Sequence, residues 1–186
     1  APVTADEFGA HAAGIEQARS DRAAVTAMLE RLPKSERSLL PEIAPTVDQL
    51  LERATDLART LSALERDIDV GSLEKLEARI AGLEQEPPTS DKERRLTLLQ
   101  QQREKLVHLA TRQEVLGSKL ESCLLQMQNV RFDLLRLRSA GVAEALGDLT
   151  AATQQARALS RDVDAAIMAA GEVRKITGHD ANLTRD

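Results

Sequence analysis

Apolar residues recur every seven positions along the second half of the chain. One set begins at Leu99, and a second set runs three residues behind it from Gln102. Alternating three- and four-residue spacing lines one side of a helix and is typical of a coiled coil. The pattern predicts an interaction seam formed by Leu99, Leu106, Leu109, Gln113, Leu116, Leu120, Cys123, Met127, Val130, Leu134 and Leu137.

Shorter apolar stripes predict three further helices before this one. Proline restricts the residue before it and cannot donate a backbone hydrogen bond, so Pro33, Pro41, Pro45 and the pair Pro87-Pro88 mark breaks. Helices are expected near 5–32, 46–68, 72–86 and 91–176, with a short turn at 35–40. Side chains suited to capping begin each helix, at Thr4, Thr46, Ser72 and Ser90.

The repeat changes phase at Gly141. After this glycine the stripe resumes one residue late, which turns it by about 100° around an unadjusted helix. Local unwinding, a kink or a true break into two helices would each accommodate the shift. We expect a continuous but bent helix, with Gly141 as a candidate hinge.

The Pro87-Pro88 turn divides the chain into arms of similar length and opposite charge. Residues 1–90 carry 10 basic and 17 acidic side chains, whereas residues 91–186 carry 15 and 13. We therefore predict an all-α fold built as a long antiparallel helical hairpin, or coiled coil, forming one elongated module. Its arms span 4–86 and 91–176, joined by a turn at 87–90 and followed by a frayed tail at 177–186. The alternative is an elongated three-helix bundle, in which helix 5–32 folds back onto the second and fourth helices.

Composition narrows the class of protein. The chain has two Phe, no Tyr and no Trp, and its formal charge is −5. Cores of Leu, Val and Ala stripes belong to elongated helices that seldom enclose a substrate cavity. An acidic chain without basic runs flanked by aromatic residues disfavours nucleic acid as a partner. Apolar runs fall far short of the ~20 residues that cross a bilayer, so no membrane insertion is expected in this segment.

The residues that could take part in catalysis or metal binding are scattered along the sequence. Cys123 lies in the seam between Leu120 and Met127, where a buried thiol has a raised pKa and is inert. The three histidines lack the spacing of a metal site. We predict no catalytic residue, no cofactor and no metal. One cysteine and no signal peptide favour a cytoplasmic location, and the initial Ala1 favours a fragment of a longer chain.

Three segments carry a resemblance to a known family. They are QNVRFDLLRLRSAGV at 128–142, ATQQARALSRDV at 152–163, and the stretch from LPKSER at 32–37 to TVD at 46–48. The sequences of these segments resemble the C-terminal helical tails of bacterial eukaryotic-like serine/threonine protein kinases. The resemblance implies a kinase domain upstream, with a membrane-anchored stretch between, and a tail used for association. None of the kinase catalytic motifs occurs in this sequence, so no kinase residue is carried over.

The sequence therefore predicts a non-catalytic interaction or oligomerisation module, as the tail of such a kinase. Pairing of two tails in a homodimer would place catalytic domains at high effective concentration. The alternative is a free-standing coiled-coil scaffold or adaptor that binds a helix of another protein.

Overall fold

The computed structural model describes the backbone of residues 5–180 and the side chains of residues 7–171. Within these bounds the chain is mostly helical and has no strand, which confirms the predicted all-α fold. The helices are α1 (Ala5–Phe8), a 3₁₀ turn (Gly9–His11), α2 (Ala12–Arg31), α3 (Lys34–Arg37), α4 (Ile43–Asp67), α5 (Ser72–Glu84), α6 (Ser90–Ala140) and α7 (Val142–Asp180).

Two helix starts differ from the sequence prediction. α4 begins at Ile43, so Thr46 is a buried first-turn residue and does not cap the helix. Pro45 is tolerated there because first-turn N–H groups have no intrahelical acceptor. α6 begins at Ser90, and its cap is Thr89, whose Oγ1 accepts the Lys92 N–H at 3.1 Å.

Two other predicted caps fall differently. Gly71, with φ of +81°, occupies the N-cap of α5, and Ser72 is the first helical residue. Thr4 lies outside the described residues. Of the predicted frayed tail, residues 177–180 continue α7, and residues 181–186 lie outside the described residues.

The expectation of a continuous helix through Gly141 is wrong. α6 ends at Ala140, Gly141 has φ of +92°, and α7 begins at Val142. Lys119 contacts Asp162, and Arg136 contacts Asp148, so residue numbers rise along α6 as they fall along the part of α7 beside it. α7 therefore runs back along α6 as its antiparallel neighbour. A left-handed residue ends helices readily, and glycine adopts that conformation without a Cβ clash.

The chain divides into two compact units, each described separately. Unit 1 contains Ala1–Ser62 and Leu116–Asp186, and unit 2 contains Ala63–Val115. Both α4 and α6 contribute to each unit.

Unit 1 is a four-helix bundle of α2, α4, α6 and α7. α2 runs antiparallel to α4, because Arg22 contacts Asp48 and, at the other end, Glu7 contacts Arg59. α2 also lies beside α6, where the buried carboxylate of Asp21 accepts a hydrogen bond from Arg131 at 2.7 Å. α4 lies beside α7, with Arg53 Nε 2.6 Å from Asp164 Oδ1. The predicted three-helix alternative thus lacks one member, because the chain after Gly141 supplies a fourth helix.

The core of unit 1 is aliphatic apart from one ring. Its largest fully buried side chains are Phe8, Ile15, Val25, Val47, Leu50, Leu57, Leu61, Leu116, Met127, Val130, Leu134 and Leu149. α7 contributes small buried residues, among them Ala145, Ala152 and Ala156. Small residues on one face allow neighbouring helices to approach closely, so larger side chains from the other three helices fill the centre.

Unit 2 is an antiparallel hairpin formed by α5 and the first part of α6. Arg103 Nε lies 3.1 Å from Glu77 Oε1, and Arg95 lies 3.2 Å from Glu86 Oε2. Its buried core is small and consists of Leu76, Leu83 and Leu99, with Ile80, Leu96 and Leu106 packed against it and partly exposed. This unit therefore buries far less apolar surface than a bundle does.

Candidate functional site

The predicted interaction seam has two different environments. From Leu116 onward its members are buried within unit 1, among the chain's own helices; these are Leu116, Leu120, Cys123, Met127, Val130, Leu134 and Leu137. In unit 2 only Leu99 is buried, and Leu106, Leu109 and Gln113 remain partly exposed. The part of the seam that retains accessible apolar surface is therefore the part in unit 2.

An open groove runs along one flank of the α5–α6 hairpin. It has a volume of about 520 Å³, and Leu83 and Leu99 form its apolar lining with Leu98. Leu98 is 53% exposed although it is a large apolar residue. Opposite it on α5 lies Gly82, where an added Cβ would meet no atom within 4 Å. The groove thus combines a protruding leucine with a vacant side-chain volume at the same level of the hairpin.

Charged side chains border this groove. Arg79 lies on α5 one turn before Gly82, and Glu86 follows Gly82 by four residues. Glu86 also forms a salt bridge with Arg95 at the end of the groove near the turn, with 3.2 Å between Arg95 Nη2 and Glu86 Oε2. Apolar lining with charges at its edges is the usual composition of a surface that binds another protein.

The opposite flank of the hairpin is closed by polar contacts. Arg103 lies about 140° around α6 from Leu98, and it pairs with Glu77. On the same flank Lys92 donates to the carbonyl oxygens of Glu84, at 2.9 Å, and Glu86. These contacts bridge the two helices, so the flank that contains Leu98 is the one open to a partner.

A second exposed apolar surface lies on α6 within unit 1. Leu125, Phe132 and Leu135 are 51%, 53% and 42% exposed and share one face of the helix. The guanidinium of Arg131 lies 6.0 Å from the centre of the Phe132 ring. Aromatic residues are enriched in the centres of protein interfaces, and this ring is one of only two in the chain.

Cys123 is part of the packing of unit 1. It is fully buried, and burial raises the pKa of its thiol to about 11, against smaller opposing effects of Lys119 and Arg53. The thiolate is the nucleophilic form, so the thiol is unreactive at neutral pH. The predicted raised pKa is confirmed.

The described residues contain neither a cluster of metal ligands nor a membrane-spanning helix. Their His, Cys, Asp and Glu side chains form no group of three or more that could hold a metal ion. None of their helices combines the length and apolar content that a bilayer crossing requires. His11 and His108 are far apart in sequence and belong to different units.

Sequence reasoning missed both Leu98 and Phe132. The heptad register contained a signal for each, because apolar residues at positions outside the seam cannot be buried by it. Leu98 stands beside the seam residue Leu99, and Phe132 lies midway between the seam residues Val130 and Leu134, so neither can join the seam. Gly82 carried no such signal, since its vacancy depends on which residue of α6 lies opposite. Gly141 ends α6, and its use as a moving hinge stays a prediction.

Comparison with known proteins adds no relative. The chain matches no protein-family model, no curated protein and no solved structure. The resemblance to kinase tails therefore stays a prediction.

Proposed function

We propose that this chain is a protein-interaction module whose α5–α6 hairpin binds a helix through the groove beside Leu98 and Gly82. The observation that carries the proposal is the incomplete core of unit 2. Two helices alone cover one side of each other's apolar residues, and most helix stability in proteins comes from tertiary packing. A third helix laid in the groove would bury Leu98 and complete that packing.

The chemistry of the groove defines the kind of partner. A helix in a groove anchors itself through apolar side chains spaced three, four and seven residues apart. One bulky side chain would occupy the vacancy at Gly82 and contact Leu98. Arg79 and Arg95 outnumber Glu86 along the groove, so acidic residues beside the apolar anchors would complement it.

A photo-crosslinking amino acid in place of Leu98 tests this proposal. Full-length protein with p-benzoylphenylalanine at position 98 is irradiated in cells of the source organism, and adducts are identified by mass spectrometry. The matched control carries the same residue at Gln100, which is exposed on α6 about 200° around the helix from Leu98. We expect protein adducts from position 98 and few from position 100. Equal yields from both positions, or none from position 98, would contradict the proposal.

Attachment to a kinase is a separate proposal that rests on the resemblance of residues 128–142 and 152–163. In that setting the groove would bring catalytic domains together by raising their effective concentration. Reading the source DNA upstream of the codon for Ala1 tests it. An open frame that continues into the kinase catalytic motifs supports the attachment, and a nearby start codon favours the free-standing adaptor.

A further inference from the structure

We infer that the occupant of the groove is an acidic amphipathic helix of another protein, in which carboxylates flank one bulky apolar residue by a single turn on each side. The inference rests on the proposed function and specifies the sequence pattern of the partner. The apolar residue would lie between Leu98 and Gly82, and the carboxylates would pair with Arg79 and Arg94.

Charge is separated between the two flanks of the α5–α6 hairpin. Residues 72–108 carry seven basic and seven acidic side chains, so the hairpin as a whole has no net charge. Helical geometry and the groove lining place five of the basic residues, but only two of the acidic ones, on the flank of Leu98 and Gly82. These are Lys75, Arg79, Arg94, Arg95 and Lys105, with Glu86 and Asp91. The remaining surface of the hairpin has the reverse excess, so the groove attracts an anionic partner.

The two acidic residues of this flank already have a partner. Arg95 lies 3.2 Å from Glu86 and 3.1 Å from Asp91, so one guanidinium contacts both carboxylates. Among the described residues, neither Arg79 nor Arg94 forms a salt bridge, and both side chains are exposed. These two arginines are therefore available to carboxylates of a partner.

Arg79 and Arg94 lie about one helical turn from Leu98, in opposite directions along the groove. The two salt bridges between α5 and α6 fix the pairing of these helices, in which Leu98 lies level with Gly82. Arg94 is then about 6 Å nearer the turn, and Arg79 is about 5 Å farther from it. On a helix in the groove, residues three or four positions before and after an anchor share its face. Carboxylates at those positions would reach both arginines.

The composition of the groove favours a helix over other anionic partners. Leu98 and the open space at Gly82 form an apolar centre between the charges, which suits the apolar anchor of a helix. Single-stranded nucleic acid stacks its bases on aromatic side chains, and residues 72–108 contain none. A lipid surface takes up one continuous apolar face, whereas this apolar lining lies in a groove between two helices.

Binding of two labelled synthetic peptides to the full chain tests the pattern by fluorescence anisotropy. Both peptides have about 21 residues of Ala and Gln, with Leu at the centre and seven residues to either side. One peptide has Glu, and the other has Lys, at the positions three and four residues before and after the central Leu. We expect the Glu peptide to bind at least about tenfold more tightly than the Lys peptide, and more weakly as salt increases.

Reversal of charge on the protein tests which residues make the contact. The double variant Arg79→Glu, Arg94→Glu should bind the Glu peptide at least about tenfold more weakly and should prefer the Lys peptide. The control is the double variant Arg138→Glu, Arg161→Glu, which makes the same change of charge at two exposed positions of unit 1. The control should leave both affinities unchanged. Circular dichroism confirms that each variant remains helical.

The outcomes separate this inference from the proposed function. A Glu peptide that binds no better than the Lys peptide, or that binds the Arg79→Glu, Arg94→Glu variant as tightly as the unaltered chain, overturns the inference. Tighter binding to phosphatidylglycerol vesicles or to an oligonucleotide than to the Glu peptide overturns it as well. If position 98 still crosslinks to a protein, the proposed function holds and only the chemistry of the partner is wrong. If position 98 yields no adduct, both fail.

Discussion

Cys123 offers a direct test of packing at the level of a single residue. Its thiol is fully buried, and its pKa is raised to about 11 by that burial. We expect native protein to react very slowly with Ellman's reagent at pH 8, and protein unfolded in urea to react promptly. Labelling of the native protein at the unfolded rate would show that the core around Cys123 is open.

The environment of the Asp133 carboxyl group opposes its ionisation. Burial and the neighbouring Asp148 raise its pKa, and Arg136 lowers it in part. The folded state therefore holds this proton more tightly than the unfolded state, so stability falls as pH rises through the folded pKa. Asp133→Asn removes the ionisable group. The variant should be more stable than the unaltered protein at pH 7.

Urea titrations over a range of pH measure this difference. The advantage of Asp133→Asn should vanish as pH falls below about 4, where the unfolded carboxyl is also protonated. Glu121→Gln, at an exposed position on the same helix, provides the control for the loss of one negative charge. An advantage of Asp133→Asn that does not change with pH would exclude ionisation as its cause.

At the scale of the element, α6 tests the heptad register. Leu120 is buried in unit 1, whereas Leu125 on the same helix is 51% exposed. Leu120→Asp should lower the free energy of unfolding by at least about 3 kcal/mol, because it buries a carboxylate without a partner. Leu125→Asp makes the same chemical change in solvent and should cost little. Similar urea midpoints for the two variants would show that the register is misplaced.

The break between α6 and α7 depends on one backbone conformation. Gly141 has φ of +92°, which L-residues rarely adopt, and a Cβ there would meet no other atom. Gly141→Ala should therefore cost about 1–2 kcal/mol from backbone strain alone. Gly147→Ala, within α7 and also in open space, should instead stabilise by about 0.5–1 kcal/mol.

Thermal unfolding of both glycine variants measures these opposite effects. Stabilisation of both would indicate that the helix continues through position 141, as the sequence alone suggested. That expectation failed because a one-residue phase shift is compatible with a bend or a break, and periodicity cannot separate them. The choice depends on tertiary packing, in which α7 buries Leu149, Ala156 and Val163 by turning back.

The elements differ in how far sequence could predict them. Periodicity located the seam of α6, and the seam residues from Leu116 to Leu137 are buried as that pattern requires. It could not show whether the buried face is covered by the same chain or by another, because both give the same repeat. Leu98 and Gly82 lie in the same groove only because α5 pairs with α6. No local pattern in either helix specifies that pairing.

At the scale of the whole molecule, apolar burial is unevenly divided between the units. Unit 2 has three buried apolar residues, Leu76, Leu83 and Leu99, and the remaining buried core residues belong to unit 1. Local opening requires less free energy where few apolar contacts are lost. Amide hydrogen exchange in dilute protein should therefore be faster in α5 than in the part of α7 that contains Leu149 and Val163.

This comparison connects burial to the proposed function, because the small buried core of the α5–α6 hairpin is the reason for expecting a partner helix. Slow exchange in α5 of the dilute protein would instead mean that the α5–α6 hairpin is stable without a partner, which would remove the main physical reason for proposing one.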